Sequence, residues 1–204
     1  MIKAHLDSLI KKYDIFLLDQ WGVLHNGKEK YERVDKFINI LKKNKKKIIL
    51  ISNTSQIKND VIKQTLEPIG FNIKDFTEII TSGQLLIDIK YNKIKDELKL
   101  KKILNQKKCF LISNRNDSRN IKQLEIKATK ISEAKFVFAM SLNPNSNKSE
   151  ITKLEKKINK FKLPMICTNP DKHVFDGNKN KKCFQIGFLA EMYKKNKGDV
   201  KFIG

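Results

Sequence analysis

Two short apolar runs constrain the fold of this chain more than any other feature. Ile15-Phe16-Leu17-Leu18 ends on Asp19, and Ile48-Ile49-Leu50-Ile51 ends on Ser52. Continuous apolar runs this short suit strands buried on both faces, as in parallel sheets. Between them, Val34 to Lys43 sets Val34, Phe37, Ile38 and Leu41 on one helical face, and residues 3 to 12 show helical spacing too. Lys58 to Leu66 fits a helix ended by Pro68 and Gly70, and Glu78 to Ile80 a third strand closing on Thr81-Ser82-Gly83. Strand, helix, strand, helix, strand at this spacing predicts an α/β fold with a Rossmann-like parallel sheet and right-handed crossovers.

The character changes after Gly83. A Lys-rich segment from about 90 to 108 leads to short strands at Cys109 to Ser113 and Phe136 to Met140. A helix over Ser149 to Phe161, with Ser149 as N-cap, precedes a strand at Pro164 to Thr168. Gln185 to Lys195 reads as a helix and Val200 to Ile203 as a strand. The expected division is a core domain over 1–84, an inserted α/β domain over 85–178, and a return to the core over 179–204.

The formal charge of +21 invites a nucleic-acid reading, because a basic surface concentrates polyanions. Yet only three of the 43 basic residues are arginine (Arg33, Arg115 and Arg119), and bidentate phosphate or base recognition draws on Arg. The lysines run along the whole chain as solvated faces, so no specific nucleic-acid partner is expected, although the field would attract a small phosphorylated substrate. No run approaches the roughly 18 apolar residues of a membrane-spanning helix. The N-terminus lacks the apolar stretch of a secretory signal, so a cytoplasmic, membrane-free protein is expected. Cys109, Cys167 and Cys183 have no metal-ligand spacing and are expected to be buried thiols.

Chemistry centres on Asp19-Gln20-Trp21-Gly22-Val23-Leu24-His25-Asn26-Gly27. It sets a carboxylate at the carboxyl end of a strand before a glycine-containing loop, where open α/β sheets keep their sites. Alone, such an Asp caps a turn as readily as it attacks a substrate. Ser52-Asn53-Thr54 ends the second strand, and if the first two strands are neighbours the two ends converge. A hydroxyl, an amide side chain and loop N–H groups there would hold a phosphoryl oxygen while a carboxylate attacks phosphorus. A divalent cation would offset the repulsion between the two anions.

These residues resemble the haloacid dehalogenase superfamily, specifically its class IIA phosphatases, and within them a subfamily whose first motif reads Asp-x-Trp-Gly-Val-x-x-x-Gly. Tyr13-Asp14 leads into that motif, and Leu50-Ile51-Ser52-Asn53 is similar to the second motif. Ile80-Thr81-Ser82-Gly83 matches the exit from the third core strand. Pro164 to Asp171 and Gly187 to Tyr193 match the return from the cap, the C2-type α/β insertion of this class. The resemblance implies that Asp19 is the nucleophile, forming an aspartyl-phosphate, and a ligand of Mg2+. It implies the backbone carbonyl of Trp21 as a second metal ligand and Ser52 as the holder of the phosphoryl group. Gly22, Asn53 and Thr54 would assist, Asn169, Asp171 and a cap-facing His173 would meet the substrate, and since the class often dimerises through the cap, a homodimer is one expected assembly.

The chain departs from the family pattern in two respects. Superfamily phosphatases carry an acid-base Asp two residues after the nucleophile, and this chain has Trp21, whose indole N–H neither gives nor takes a proton near neutrality. Such assistance is typically worth ~10²–10⁴-fold, so slow turnover or different chemistry is expected. Family members also continue past the strand at Val200 to Ile203 with a Lys-Pro pair and a Gly-Asp metal motif, so the sequence reads as C-terminally truncated. The expected function is a Mg2+-dependent phosphatase of a small phosphorylated metabolite, weakly active or inactive in this chain. The alternative is a non-catalytic phosphometabolite-binding or regulatory protein.

Overall fold

The computed structural model describes residues 2–114, 118–176 and 181–204. They form two compact units, one over 1–52 and 58–81, the other over 53–57 and 82–204.

The first unit starts with α1 (Ile2–Lys12) and β1 (Ile15–Asp19), followed by α2 (Val34–Lys43) and β2 (Lys47–Ser52). Helix α3 (Lys58–Val61) runs on as a π-helical turn over Ile62–Leu66, and β3 (Glu78–Thr81) closes the sheet. The strands lie parallel in the order β1-β2-β3, with Asp19 opposite Ile51 and Ser52 opposite Thr81. That register sets Asp19 and Ser52 at the same carboxyl end of the sheet. Side chains alternate along a strand, so Phe16, Leu18, Ile48, Leu50 and Ile79 share one face. They pack with Ile38 and Leu41 of α2 and with Val61 and Leu66, a core in which each fully buried aliphatic side chain contributes roughly 1.5–3 kcal/mol. On the opposite face Ile15 and Leu17 are 50% and 62% exposed, and Ile51 and Ile80 are exposed as well.

The second unit opens with α4 (Ser82–Lys90), α5 (Leu100–Leu104), β4 (Lys108–Ile112), α6 (Ser118–Gln123) and β5 (Lys127–Ala128). It continues with β6 (Phe136–Ala139), α7 (Lys148–Asn159), β7 (Met165–Cys167) and the hairpin β8 (His173–Asp176) and β9 (Lys181–Phe184). Helix α8 (Ile186–Lys195) and β10 (Val200–Phe202) complete it. Its five-stranded sheet is all parallel, in the order β10-β7-β6-β4-β5, the β8–β9 hairpin pairs antiparallel apart from it, and every residue of β6 and β7 is buried. The α/β class and parallel sheets expected from the sequence are therefore present.

Three details differ from the sequence reading. Residues 179–204 were read as a return to the core, whereas the described ones lie in the second unit: β10 pairs with β7, Val200 opposite Met165 and Phe202 opposite Cys167. The physical reason is α8, whose Ile186, Leu189, Ala190 and Tyr193 lie in the second core beside Val137, Met165 and Cys167, so the chain re-enters that sheet. The expected boundary at 178 and 179 lies outside the described residues, as does Arg115. Ser82 and Gly83, expected at the end of the core, begin α4 in the second unit. The cap of α7 is Asn147, not Ser149: the Asn147 side chain accepts the Glu150 N–H at 3.0 Å, and the Glu150 carboxylate accepts the Asn147 N–H at 3.0 Å. This reciprocal pair satisfies two of the free N–H groups at the helix start. The three cysteines are buried free thiols, and burial pushes Cys109 up to about 11 and Cys167 up to about 12.

Candidate active site

Asp19 is the last residue of β1, and its carboxylate accepts the N–H of Gln20 at 2.7 Å. Gln20 is buried, and its side-chain amide donates to the Ser52 hydroxyl oxygen at 2.6 Å. The hydroxyl proton of Ser52 is thereby turned away from Gln20. This bond ties the end of β1 to the end of β2 through a residue that sequence reasoning passed over. Its signal was available, since an amide one position past a buried strand end is a donor in need of a partner. The other atom of that amide, Gln20 Oε1, is buried without a partner in this structure.

The loop after Gln20 turns back tightly. Leu24 N–H and His25 N–H both donate to the Gln20 carbonyl, at 2.9 and 3.3 Å, and Gly22 N–H donates to the His25 carbonyl at 2.9 Å. Gly22 carries a φ of +82°, the left-handed region that glycine enters without a side-chain clash. Gly27, at φ +94°, lies under the Trp21 indole so closely that a Cβ there would sit 2.3 Å from the ring. His25 is 0% exposed, and its Nδ1 accepts the Gly27 N–H at 3.0 Å, which leaves the ring proton on Nε2. That Nε2 is buried without a partner. Burial holds the His25 pKa below the usual imidazole value, with the Asp19 charge pulling the other way. Trp21 stands edge-on to His25 at 5.8 Å between ring centroids and is 52% exposed, so it braces the loop while presenting part of its ring to solvent.

The remaining sequence candidates lie in the second unit. Asn53 donates its side-chain amide to the Asp171 carboxylate at 2.7 Å, and Asn169 accepts the Asp171 N–H at 2.8 Å. Thr54 accepts the Gln56 N–H on its hydroxyl at 3.3 Å, and its carbonyl accepts the Gly83 N–H at 3.2 Å. The His173 ring packs against Phe184 at 5.2 Å and Phe188 at 5.7 Å, while burial and the charges of Lys182 and Lys172 lower its pKa. The structure thus gathers Asp19, Gln20 and Ser52 in one group and Asn53, Asn169 and Asp171 in another. The peptide bond from Ser52 to Asn53 joins them along the chain.

Mg2+ prefers oxygen ligands, keeps several waters, and is commonly held by one or two carboxylates with a phosphate. An Asp19 carboxylate and the Trp21 carbonyl fit that preference as two of the ligands. Among the described residues no three His, Cys, Asp or Glu side chains cluster into a self-sufficient metal cage. No helix of the described residues is long and apolar enough to cross a membrane.

The model of the haloacid dehalogenase-like hydrolase family matches residues 16–127. No curated protein matches the sequence. Among solved structures, a haloacid dehalogenase-like hydrolase from Brucella suis 1330 is similar with a TM-score of 0.79 at 24% identity, over 96% of this chain and 70% of its own. A p-nitrophenyl phosphatase from Archaeoglobus fulgidus follows the same fold with a TM-score of 0.64 at 16% identity, over 93% of this chain and 67% of its own. A glycerol phosphate phosphatase from Mycobacterium tuberculosis, solved with magnesium, gives a TM-score of 0.63 at 12% identity, over 96% and 55%. At these identities the likeness to the solved structures is one of fold.

Proposed function

We propose, from the premise that this chain belongs to the haloacid dehalogenase-like hydrolases, that it takes a small phosphorylated metabolite and transfers the phosphoryl group to Asp19. The finer placement, in class IIA and its Asp-x-Trp-Gly-Val subfamily, rests on the motif itself. It is supported by fold likeness to two nitrophenyl phosphatases. The single observation that carries the reading is the register of β1 and β2, with Asp19 and Ser52 at one sheet end and linked through Gln20.

In the proposed reaction an Asp19 oxygen attacks phosphorus, the bond from phosphorus to the ester oxygen breaks, and the leaving oxygen takes up a proton. Water then attacks the aspartyl-phosphate, releasing inorganic phosphate and restoring the carboxylate. Bound Mg2+ would offset the charge of the two approaching anions. Ser52, Asn53, Thr54 and backbone N–H groups of the loop beside Gly22, whose own N–H goes to the His25 carbonyl, hold phosphoryl oxygens, while Asn169 and Asp171 meet the rest of the substrate. Neither proton transfer has a partner at Trp21, so the leaving oxygen must draw its proton from water or from the substrate. Turnover is slow for that reason.

The test is hydrolysis of p-nitrophenyl phosphate with Mg2+ by the purified chain. Slow turnover that disappears in Asp19→Asn supports the proposal; p-nitrophenolate leaves without a proton, so Trp21→Asp should raise the rate by ~10² or more by supplying the base that activates water against the aspartyl-phosphate. Turnover unchanged in Asp19→Asn would overturn it. Trp21 also favours a second reading, a phosphometabolite-binding protein without turnover. Calorimetry showing tight, Mg2+-dependent phosphate binding with no hydrolysis, even in Trp21→Asp, selects that one.

A further inference from the structure

The loop that follows Ser52 is built into the second unit, and one buried amide there has no other evident task. Residues 53–57 cluster with 82–204, although Ser52 itself belongs to the first unit. Ile57, at the far end of the loop, lies in the core of the second unit with Leu86, Phe136 and Ile166. At the near end, Asn53 is held by Asp171. Between these anchors Gly83 approaches so closely that a Cβ would sit 2.2 Å from the Ser55 carbonyl oxygen.

Asn120 of α6 is only 4% exposed, and its side-chain amide donates to the Ser55 carbonyl oxygen. Its helix neighbour Ile121 packs on that same apolar core. Burying a side-chain amide among aliphatic residues is costly unless it is hydrogen-bonded, and an aliphatic side chain would fill the same space without that cost. The amide does what no aliphatic residue can: it satisfies a buried carbonyl and fixes its direction. The N–H of that same peptide unit, on Gln56, donates to the Thr54 hydroxyl at 3.3 Å. The Ser55–Gln56 peptide is therefore gripped from both sides, and the orientation of Asn53 and Thr54 just before it follows.

We propose that Asn120 is a positioning residue for phosphoryl binding: through the Ser55 carbonyl it holds the loop in the conformation in which Asn53 and Thr54 meet a phosphate group. The proposal rests on the phosphoryl-transfer reading above. It places a determinant of phosphate affinity on α6, 65 residues along the chain from the carbonyl that it grips. Preorganised donors lose little to reorganisation when charge arrives, so a loosened loop costs affinity and rate together.

The test uses the intact chain and compares wild type with Asn120→Asp, which keeps the shape but removes the donor. Inorganic phosphate affinity is measured by calorimetry with Mg2+, and amide exchange is read residue by residue. The expected result is about tenfold weaker phosphate binding together with faster exchange confined to 53–57 and Gly83. Asn120→Ser, which keeps a shorter donor, should fall between the two and carries the comparison if Asn120→Asp does not fold. Unchanged phosphate affinity, or exchange accelerated evenly across the second unit, overturns the proposal, since Asn120 would then only fill space. If wild type binds no phosphate while Asn120→Asp still frees the loop, the phosphoryl-transfer reading itself falls, and the proposal with it.

Discussion

The two sheets are written in the same apolar alphabet and end in different states. Strands β6 and β7 of the second unit are buried at every position, as short apolar runs in a parallel sheet should be. Strands β1 to β3 of the first unit are buried on the helix-covered face only, and Ile15, Leu17, Ile51 and Ile80 face outward. Strand β1 also forms the sheet edge, with β2 on one side and no strand paired on the other among the described residues. The difference shows that an apolar run reports what a strand can bury, while the elements packed around it decide what it does bury. It also separates roles: the buried second sheet supplies stability, and the half-covered first sheet carries Asp19 at its carboxyl end.

The comparison can be broken most directly by truncating each sheet in turn. Phe136→Ala, at the start of β6 where the ring is fully buried, should cost about 3–5 kcal/mol. Urea unfolding followed by far-ultraviolet circular dichroism measures it, and a loss near zero would show that the second core is loosely packed. A smaller effect is expected from His25. Its folded-state pKa lies below the usual imidazole value of 6.5, so the neutral ring is favoured by folding. Its contribution is present above pH 6.5 and is lost as pH falls below that value, when protonation takes away the Nδ1 acceptor of the Gly27 N–H. Trp21 is the single tryptophan of the chain, so its fluorescence reports acid unfolding of the first unit. His25→Asn keeps an acceptor for Gly27 and should flatten this pH dependence; an unaltered profile would assign the acid sensitivity to other groups. The smallest effect is expected for Leu17→Lys on the outward face, with stability within about 0.5 kcal/mol of wild type. A loss approaching that of Phe136→Ala would show that this face is covered in solution.

The site was legible in unequal parts. Asp19 and Ser52 could be read because strand ends are marked by a change from apolar to polar residues, and the parallel register then brought them to one edge. Gln20 was marked only by its place one residue past a buried strand end and Asn120 by nothing local, because each is polar for the sake of one atom supplied from a distant segment, Ser52 in one case and Ser55 in the other. The cap of α7 was placed two residues late for a related reason. Ser149 and Asn147 are both good cap residues, and only the reciprocal bond with Glu150 selects Asn147.

The sequence by itself determined the strands β1 to β3 and the helix between β1 and β2, most strands of the second sheet, the helices α7 and α8, and the parallel α/β class, but not α4 to α6, β5 or the β8–β9 hairpin. It also determined the family motif around Asp19 and the substitution of Trp21 for a proton-transfer group. Periodicity, turn residues and side-chain chemistry are local properties, so they survive without a structure. Only the tertiary structure decided that β10 joins the second sheet, that residues 53–57 belong to the second unit, and that one face of the first sheet stays exposed. Each of these depends on which surfaces meet across tens of residues, and a pairing of that kind leaves no period in the chain. The motif that marked Asp19 at the outset therefore sits in a loop braced by Trp21, His25 and Gly27, next to a strand end whose hydroxyl it reaches through Gln20.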